Sequence, residues 1–158
     1  MKILVAYYSR TGTTKKVACA ISRLLRCDSE QILDEKSRAG LIGYMRSVRE
    51  AALKKLGRIK KTKGNPDKYD LVIIGTPVWA FNMSSPIRTY ISANKDFFKK
   101  VAFFCTMCGA GDKLTFAEME KLCGKTPVKT MSLKTKEVID RKHLPAVKRF
   151  VDELRKIK

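Results

Sequence analysis

Short runs of almost wholly apolar residues recur along the chain, and segments with helical periodicity separate them. This alternation predicts an α/β fold, and strands that are apolar throughout are typical of a parallel sheet covered on both faces. Five strands are predicted, at Lys2–Tyr8, Ser29–Leu33, Leu71–Gly75, Val101–Thr106 and Val128–Leu133. No repeat or low-complexity linker interrupts the pattern, so we expect one domain over residues 1–158.

The segments between the strands carry helical stripes. Two stripes predict core faces, and these are Val17, Ile21, Leu24 and Leu25, and then Val147, Phe150, Val151, Leu154 and Ile157. A third helix with a basic outer face is marked by Ile42, Met45, Val48 and Ala52. Ser85 is predicted as an N-cap, with Pro86 opening a helix through about Ala93, and another helix is predicted from Leu114 to Leu122.

The loop Ser9-Arg10-Thr11-Gly12-Thr13-Thr14 joins the first strand to the first helix. Unpaired N–H groups and the helix dipole attract an anion at such a position. The Ser and Thr hydroxyls can donate to phosphate oxygens, and Gly12 lets the backbone approach closely or take a positive φ. The loop has neither the Gly-Lys-Ser/Thr ending of a P-loop nor three glycines, so it favours a phosphate monoester. An ordinary N-cap at Thr13 followed by turn residues is the alternative.

These residues resemble the flavodoxins and flavodoxin-like FMN proteins, whose phosphate loop has the pattern Ser/Thr-x-Thr-Gly-x-Thr. The resemblance covers nearly the whole chain, because "YDLVIIGTPVWAFNMSSPIRTYI" and "VAFFCTMCGAGDKLTFAEMEKLCGK" are similar to the family's third and fourth strands with their flavin loops. It implies a doubly wound, five-stranded parallel sheet in the order 2-1-3-4-5, with FMN at the switch point. Flavodoxin is itself a standard example of that rule.

The resemblance also implies which residues hold the cofactor. The phosphate loop contributes Ser9, Arg10, Thr11, Gly12, Thr13 and Thr14. The two flavin loops contribute Pro77, Val78, Trp79, Ala80 and Phe81 on one side of the ring, and Thr106, Met107, Cys108 and Gly109 on the other. Trp79 is the only tryptophan, and we expect it to stack on the flavin or shield its edge. Packing against Phe81 or a neighbouring helix is the alternative for Trp79.

The chain departs from the family pattern in three ways. Its second flavin loop has no tyrosine, which implies an open ring face, and its first flavin loop has Ala80 and Phe81 where many flavodoxins have a flipping glycine. Flavodoxins are typically acidic, whereas this chain has a formal net charge of +19. Residues 36–68 hold eleven Lys and Arg against Glu50 and Asp67, which gives 11 − 2 = +9. We expect this segment to dock an acidic redox protein; a solvated lysine-rich surface is the alternative.

Other chemistry is less well supported by the residues. Cys105 and Cys108 form a C-x-x-C with no helix start after it, and adding Cys123 and His143 gives irregular zinc spacing, so we predict no metal site and no catalytic residue. His143 is predicted to be an exposed residue near the cap of the last helix. Five scattered cysteines predict free thiols rather than a disulfide framework. No segment is long and apolar enough to insert in a membrane, and without a signal sequence we expect a cytoplasmic location.

The predicted function is therefore electron transfer between protein partners by a bound FMN. Two alternatives remain open. The first is an FMN-dependent oxidoreductase similar to quinone or protoporphyrinogen reductases, which an open ring face would permit. The second is a basic module that kept the fold and binds nucleic acid, although the sequence shows no nucleic-acid motif and no row of aromatics.

Overall fold

The fold is built on one sheet whose five main strands are all parallel. The computed structural model describes residues 1–35 and 37–157. The main strands are β1 (Ile3–Tyr7), β2 (Asp28–Gln31), β3 (Leu71–Trp79), β5 (Lys100–Met107) and β6 (Thr130–Lys134). Their spatial order is β2-β1-β3-β5-β6, which is the predicted order 2-1-3-4-5. The α/β fold and its doubly wound sheet are thus confirmed.

One strand was not predicted. β4 (Asn82–Met83) pairs antiparallel with the end of β3, and the register sets Trp79 opposite Asn82 and Val78 opposite Met83. β3 therefore runs four residues beyond the predicted end at Gly75 before it turns back. The other strand limits move by one or two residues at either end, and Ile32 still donates a backbone hydrogen bond to the Tyr7 carbonyl beyond the end of β2.

Six helices cover the two faces of the sheet in the part of the chain that the structure describes. They are α1 (Thr13–Leu25), α2 (Gly40–Ala52), α3 (Ser85–Asn94), α4 (Asp112–Cys123), α5 (Thr135–Ile139) and α6 (Leu144–Arg155). One apolar cluster joins the sheet to α1, α5 and α6, and the other joins it to α2, α3 and α4. Loops after the parallel strands consequently emerge together at the carboxyl edge of the sheet.

The two predicted core faces, on α1 and α6, are confirmed for most of their residues. Val17 and Ile21 are buried in α1, and Val147, Phe150, Val151 and Leu154 are buried in α6. Leu25 and Ile157 are only partly buried at the margin of the same cluster. Leu24 is exposed, which corrects its prediction as a core residue, because the buried face of α1 is formed by Thr14, Val17, Ala18 and Ile21.

The third predicted helix is present as α2, but the apolar residues that marked it do not face the core. α2 buries Gly43, Ser47 and Ala51, while Ile42, Met45 and Ala52 are exposed and Val48 is half-buried. The reason is close packing, because a Cβ at Gly43 would overlap the backbone of Arg38. Only small residues fit on that side of the helix, so the larger apolar side chains face outward.

Two cap predictions also need correction. Ser84 is the N-cap residue of α3 and Ser85 is already helical. The Ser84 hydroxyl lies 3.1 Å from the Thr76 hydroxyl, so it serves the adjoining strand rather than the helix end. His143 is the N-cap residue of α6, as predicted, but it is buried rather than exposed and lines a cleft with Val138 of α5 and residues of α1.

Candidate cofactor site

A cavity of about 560 Å³ opens at the carboxyl edge of the sheet, where β1, β3 and β5 end. We call it the edge cavity. All of the predicted site residues line it except Ser9 and Gly12. Four further residues line it that were not predicted, and these are Tyr44, Val48, Ala110 and Thr135. The fold therefore brings the three predicted loops to one place, as the strand order requires.

The loop at residues 9–14 forms the polar end of the edge cavity. Gly12 is the N-cap of α1 with φ 92°, a left-handed conformation that glycine adopts without strain. Its N–H donates to the Ser9 hydroxyl over 3.1 Å. Ser9 therefore stabilises the conformation of the loop and does not line the cavity. The first turn of α1 carries no acidic residue. Its free N–H groups and the exposed Thr11 can therefore receive an anion.

Thr14 ties this loop to the neighbouring strand. Its side chain is 2% exposed, and its hydroxyl lies 2.8 Å from the Thr106 hydroxyl at the end of β5. Each hydroxyl has one proton and two lone pairs, so the pair uses one proton between them and leaves the other for a ligand. The Thr14–Thr106 contact thus joins the loop after β1 to the loop after β5.

Arg10 links the same loop to α2. Its guanidinium lies over the Tyr44 ring, 5.3 Å from the centroid, and Nη1 donates to the Arg38 carbonyl over 3.4 Å. Both Arg10 and Tyr44 line the edge cavity. A fixed positive charge is therefore held at the rim, beside the end of α1 that attracts anions.

The second loop is a two-residue turn between β3 and β4. Ala80 and Phe81 have φ of 47° and 59°, the sign pattern of the type I′ turn that suits tight hairpins. Glycine or asparagine usually fills such positions, so this turn stores backbone strain at the edge of the cavity. Gly111 is required beside it, because a Cβ there would lie 2.9 Å from Val78 Cγ1 and 3.1 Å from the Phe81 Cα.

Trp79 lies between the cavity and the core. It is 7% exposed, and its ring meets Tyr8 edge-on at a centroid distance of 5.5 Å. The Arg38 guanidinium lies over the same ring, 5.5 Å from the centroid. Burial raises the pKa of Tyr8 to about 12, against a smaller opposing effect of Arg38, so the phenol stays neutral behind the tryptophan. Trp79 thus belongs to the core and also lines the cavity, and its contact with a flavin stays a prediction.

Arg38 is buried and forms the centre of an ionic cluster that sequence reasoning missed. It pairs with Asp34 and with Glu50 over 2.6 Å, and Glu50 also accepts a 2.7 Å hydrogen bond from the Ser85 hydroxyl. Burial opposes the charge on Glu50, but the hydrogen bonds from Ser85 and Arg38 lower its pKa overall. We call these four residues the Arg38 cluster. It fastens the α2 side of the cavity to α3, and its only sequence signal is one glutamate in a basic segment.

The third loop forms an open side of the cavity. Met107 ends β5, and Cys108, Gly109 and Ala110 follow as exposed residues. The Cys105 thiol is buried, and burial raises its pKa to about 12, so it is an inert core residue rather than a reactive one. A Cβ at Gly109 would meet no atom within 4 Å, and the same is true at Gly12. Both glycines leave space that ligand atoms can occupy.

The edge cavity therefore changes character from one end to the other. Hydroxyl and N–H groups with Arg10 surround its polar end, and Pro77, Val78, Trp79 and Met107 line the remainder. This donor set fits a ligand that has an anionic group at one end and a flat apolar ring at the other. A flavin mononucleotide has that shape and charge distribution. The unpredicted Thr135 could have been found by the same strand-end rule, because it follows β6 directly.

Comparison with known proteins decides the family. The family model described as flavodoxin matches residues 2–153. The chain belongs to the flavodoxin family.

Solved structures with the flavodoxin architecture superpose on the chain. A flavoprotein from Lactobacillus acidophilus NCFM in complex with FMN is 23% identical, with a TM-score of 0.73 and coverage of 89% of this chain and 97% of that one. The apo-form of the flavoprotein from the same organism is 26% identical, with a TM-score of 0.59 and coverage of 83% and 91%. Oxidised flavodoxin 1 from Bacillus cereus is 17% identical, with a TM-score of 0.53 and coverage of 96% and 98%. No curated protein matches the chain.

The chain carries a large excess of positive charge. Its net charge is +19, and α2 and the residues after it carry exposed Arg49, Lys55, Lys60 and Lys61. Lys36, the first residue of the predicted basic segment, lies outside the described residues. Among the described residues, no helix is both long and apolar enough to cross a membrane.

Proposed function

We propose that this flavodoxin binds one FMN in the edge cavity and carries electrons between protein partners. One observation carries the proposal: a hydroxyl-rich helix N-terminus and two further loops converge on one cavity of about 560 Å³. The bound isoalloxazine supplies the redox chemistry, and the protein supplies binding, orientation and electrostatics. The structurally similar flavoprotein from Lactobacillus acidophilus, which was crystallised with FMN, supports the choice of cofactor.

The residues of the cavity have separate tasks in this proposal. The N–H groups at the start of α1, the Thr11 and Thr13 hydroxyls and Arg10 hold the phosphate. Trp79, fixed between Tyr8 and Arg38, orients the ring and excludes water from one side. The β3–β4 turn lies at the ring edge, and the exposed Cys108 and Gly109 leave the other side accessible.

A specific observation also favours the enzyme alternative. The third loop has no aromatic side chain and presents Gly109 to open space, so a small molecule could reach the ring directly. A quinone or protoporphyrinogen reductase-like activity needs such access. We rank it second, because the net charge of +19, with Arg10 lining the cavity, matches an acidic protein partner better than a neutral small molecule. The nucleic-acid alternative ranks third, because no row of exposed aromatic residues marks a stacking surface on the part of the chain that the structure describes.

The cofactor assignment is tested first. The purified protein should show the absorbance bands of oxidised flavin, and its apo-form should take up FMN in a one-to-one ratio. The emission of Trp79, the only tryptophan, should be strongly quenched in the same titration. Trp79→Phe must abolish this signal while FMN still binds. A protein without flavin that takes up none would refute the proposal, and unchanged emission on FMN binding would remove Trp79 from the site.

The partner assignment is tested by charge reversal. Electron transfer to an acidic redox protein should slow steeply between low and physiological salt, because the Debye length there is about 8–10 Å. Lys55→Glu/Lys60→Glu/Lys61→Glu should slow it further and leave the FMN spectrum intact. Lys54 is left unchanged because it pairs with Glu118. The matched control is Lys136→Glu/Lys142→Glu/Lys148→Glu, three exposed lysines of α5, α6 and their connection. Rapid turnover of a quinone with NAD(P)H by the protein alone would favour the enzyme.

A further inference from the structure

The first two turns of α2 expose an apolar surface that the fold does not cover. Leu41 is 74% exposed, Ile42 85%, Tyr44 48% and Met45 63%, and we call these four residues the α2 patch. A surface helix normally turns its large apolar residues toward the core. Here Gly43, Ser47 and Ala51 take that side. Single exposed apolar residues are common on proteins, but four within five positions form a contiguous patch that marks an interaction site.

The α2 patch borders the opening of the edge cavity. Leu41, Tyr44 and Val48 are spaced i, i+3 and i+7 and so share one helix face. Tyr44 and Val48 line the cavity itself. Phe81, which is 59% exposed, lines the same cavity from the β3–β4 turn. A protein seated on the α2 patch would therefore lie next to the site at which a flavin exchanges electrons.

Positive charge surrounds the α2 patch. Arg46 and Arg49 follow it on the helix, and Arg10 lies against Tyr44. Glu50 is the only carboxylate among residues 37–63, and it is shared by Arg38, Arg46 and Ser85. The net field at this surface is therefore positive, and the partner that it complements has an acidic rim around an apolar centre.

We propose that the α2 patch is the contact surface for an acidic protein that exchanges electrons with the flavin, an inference that rests on the proposed function. A second copy of the chain fits poorly, because it would set Arg46 and Arg49 against their own counterparts at a net charge of +19 per chain. Nucleic acid fits poorly as well, because Tyr44 is the only aromatic member of the patch. The apolar residues set how long the complex lasts, and the surrounding arginines set how fast it forms.

The test compares two matched pairs of substitutions in the FMN-loaded protein. Ile42→Ser/Met45→Ser removes the most exposed part of the α2 patch, and Ile139→Ser/Leu144→Ser is the control. The control residues are 62% and 53% exposed and belong to the helices on the opposite face of the sheet. The probe is a reduced acidic [2Fe–2S] ferredoxin, and the measurement is the rate of flavin reduction by stopped-flow absorbance at increasing ferredoxin concentration.

We expect the α2 patch pair to raise the half-saturating ferredoxin concentration about tenfold or more, with the same limiting rate and the same FMN affinity. The control pair should match the wild type. Equal behaviour of the wild type and both pairs would overturn the assignment of the α2 patch and leave the proposed function standing. A wild type that accepts electrons from dithionite but none from the protein donor would refute the proposed function, and the docking surface with it.

Two further measurements exclude other occupants. Sedimentation velocity reports self-association, and co-sedimentation with vesicles of phosphatidylserine and phosphatidylcholine reports lipid binding. We expect a monomer in every case and equal vesicle binding for both pairs. A wild-type dimer that becomes monomeric in Ile42→Ser/Met45→Ser would identify a second copy as the occupant. Vesicle binding that only this pair loses would identify a lipid surface. Either result overturns the proposal.

Discussion

Two walls of the edge cavity differ in how the sequence encodes them. The strand-end wall consists of residues 10, 11, 13, 14, 77–81, 106–110 and 135, and the helical wall consists of Tyr44 and Val48 of α2. The strand-end wall was predicted almost completely, whereas the α2 stripe was predicted with the wrong face inward. The difference shows that strand ends position their loops through the sheet order, while the rotation of a helix depends on what it packs against.

The Arg38 cluster explains the orientation of the helical wall. Its ion pairs join the segment before α2 to Glu50 near the end of the helix, and Ser85 joins the same carboxylate to α3. Gly43 packs against the Arg38 backbone, and Ser47 lies 3.4 Å from the Arg38 guanidinium. The face of α2 that meets this arginine must therefore be small and polar, whatever its hydrophobic pattern indicates.

The largest effect is expected from removing Arg38. Arg38→Leu should lower the free energy of unfolding by about 3–5 kcal/mol, because it removes the buried guanidinium that pairs with both Asp34 and Glu50. Urea unfolding followed by circular dichroism measures this. Arg49→Leu, at an exposed position of α2, should change the value by less than about 0.5 kcal/mol. Similar small losses for both variants would mean that the Arg38 cluster does not hold the helical wall.

Substitutions at the polar end of the strand-end wall test the phosphate site. Thr11→Val/Thr13→Val should weaken FMN at least about 100-fold, because each hydrogen bond to a charged group contributes about 1.5–3 kcal/mol. Riboflavin has no phosphate and should bind within about twofold of the wild type. Isothermal titration of the apo-protein with both ligands measures the difference, and Thr130→Val, an exposed residue of β6, is the control. Equal weakening of both ligands would place the phosphate elsewhere.

The contribution of Glu50 to stability should depend on pH. Its pKa in the folded protein is lowered from 4.5, despite the opposing effect of burial, by hydrogen bonds from Ser85 and Arg38. A lowered folded-state pKa adds stability above the unfolded-state value, and this stability is lost as the pH falls through the folded-state pKa. The stability advantage of the wild type over Glu50→Gln should therefore shrink below about pH 4.5. Urea midpoints measured from pH 7 to pH 3 would contradict this if the difference stayed constant.

The parts of the molecule that the sequence predicted share a local signal. The strands are apolar runs, and the loop at residues 9–14 has its hydroxyls and glycine within six positions. The parts that were missed depend on distant partners. Arg38 meets Glu50 twelve residues away and Trp79 across the fold, and Ser84 meets Thr76 across a hairpin. β4 is two residues long, and its turn contains neither glycine nor asparagine, so it gave no hairpin signal.

The smallest effect is expected at that turn, whose two residues are exposed at the edge cavity. Ala80→Gly should raise the free energy of unfolding by about 0.5–1 kcal/mol. Glycine adopts the left-handed conformation without strain, which raises the free energy of unfolding by about 1–2 kcal/mol. Glycine also has more freedom in the unfolded chain, which lowers the free energy of unfolding by about 0.4–1 kcal/mol. Ala110→Gly, in the same cavity and not among the described residues with positive φ, should instead be neutral or destabilising. Urea unfolding of the two apo-proteins measures the contrast. A loss of stability in Ala80→Gly would mean that the Ala80 methyl group packs against the cavity more favourably than the strain costs.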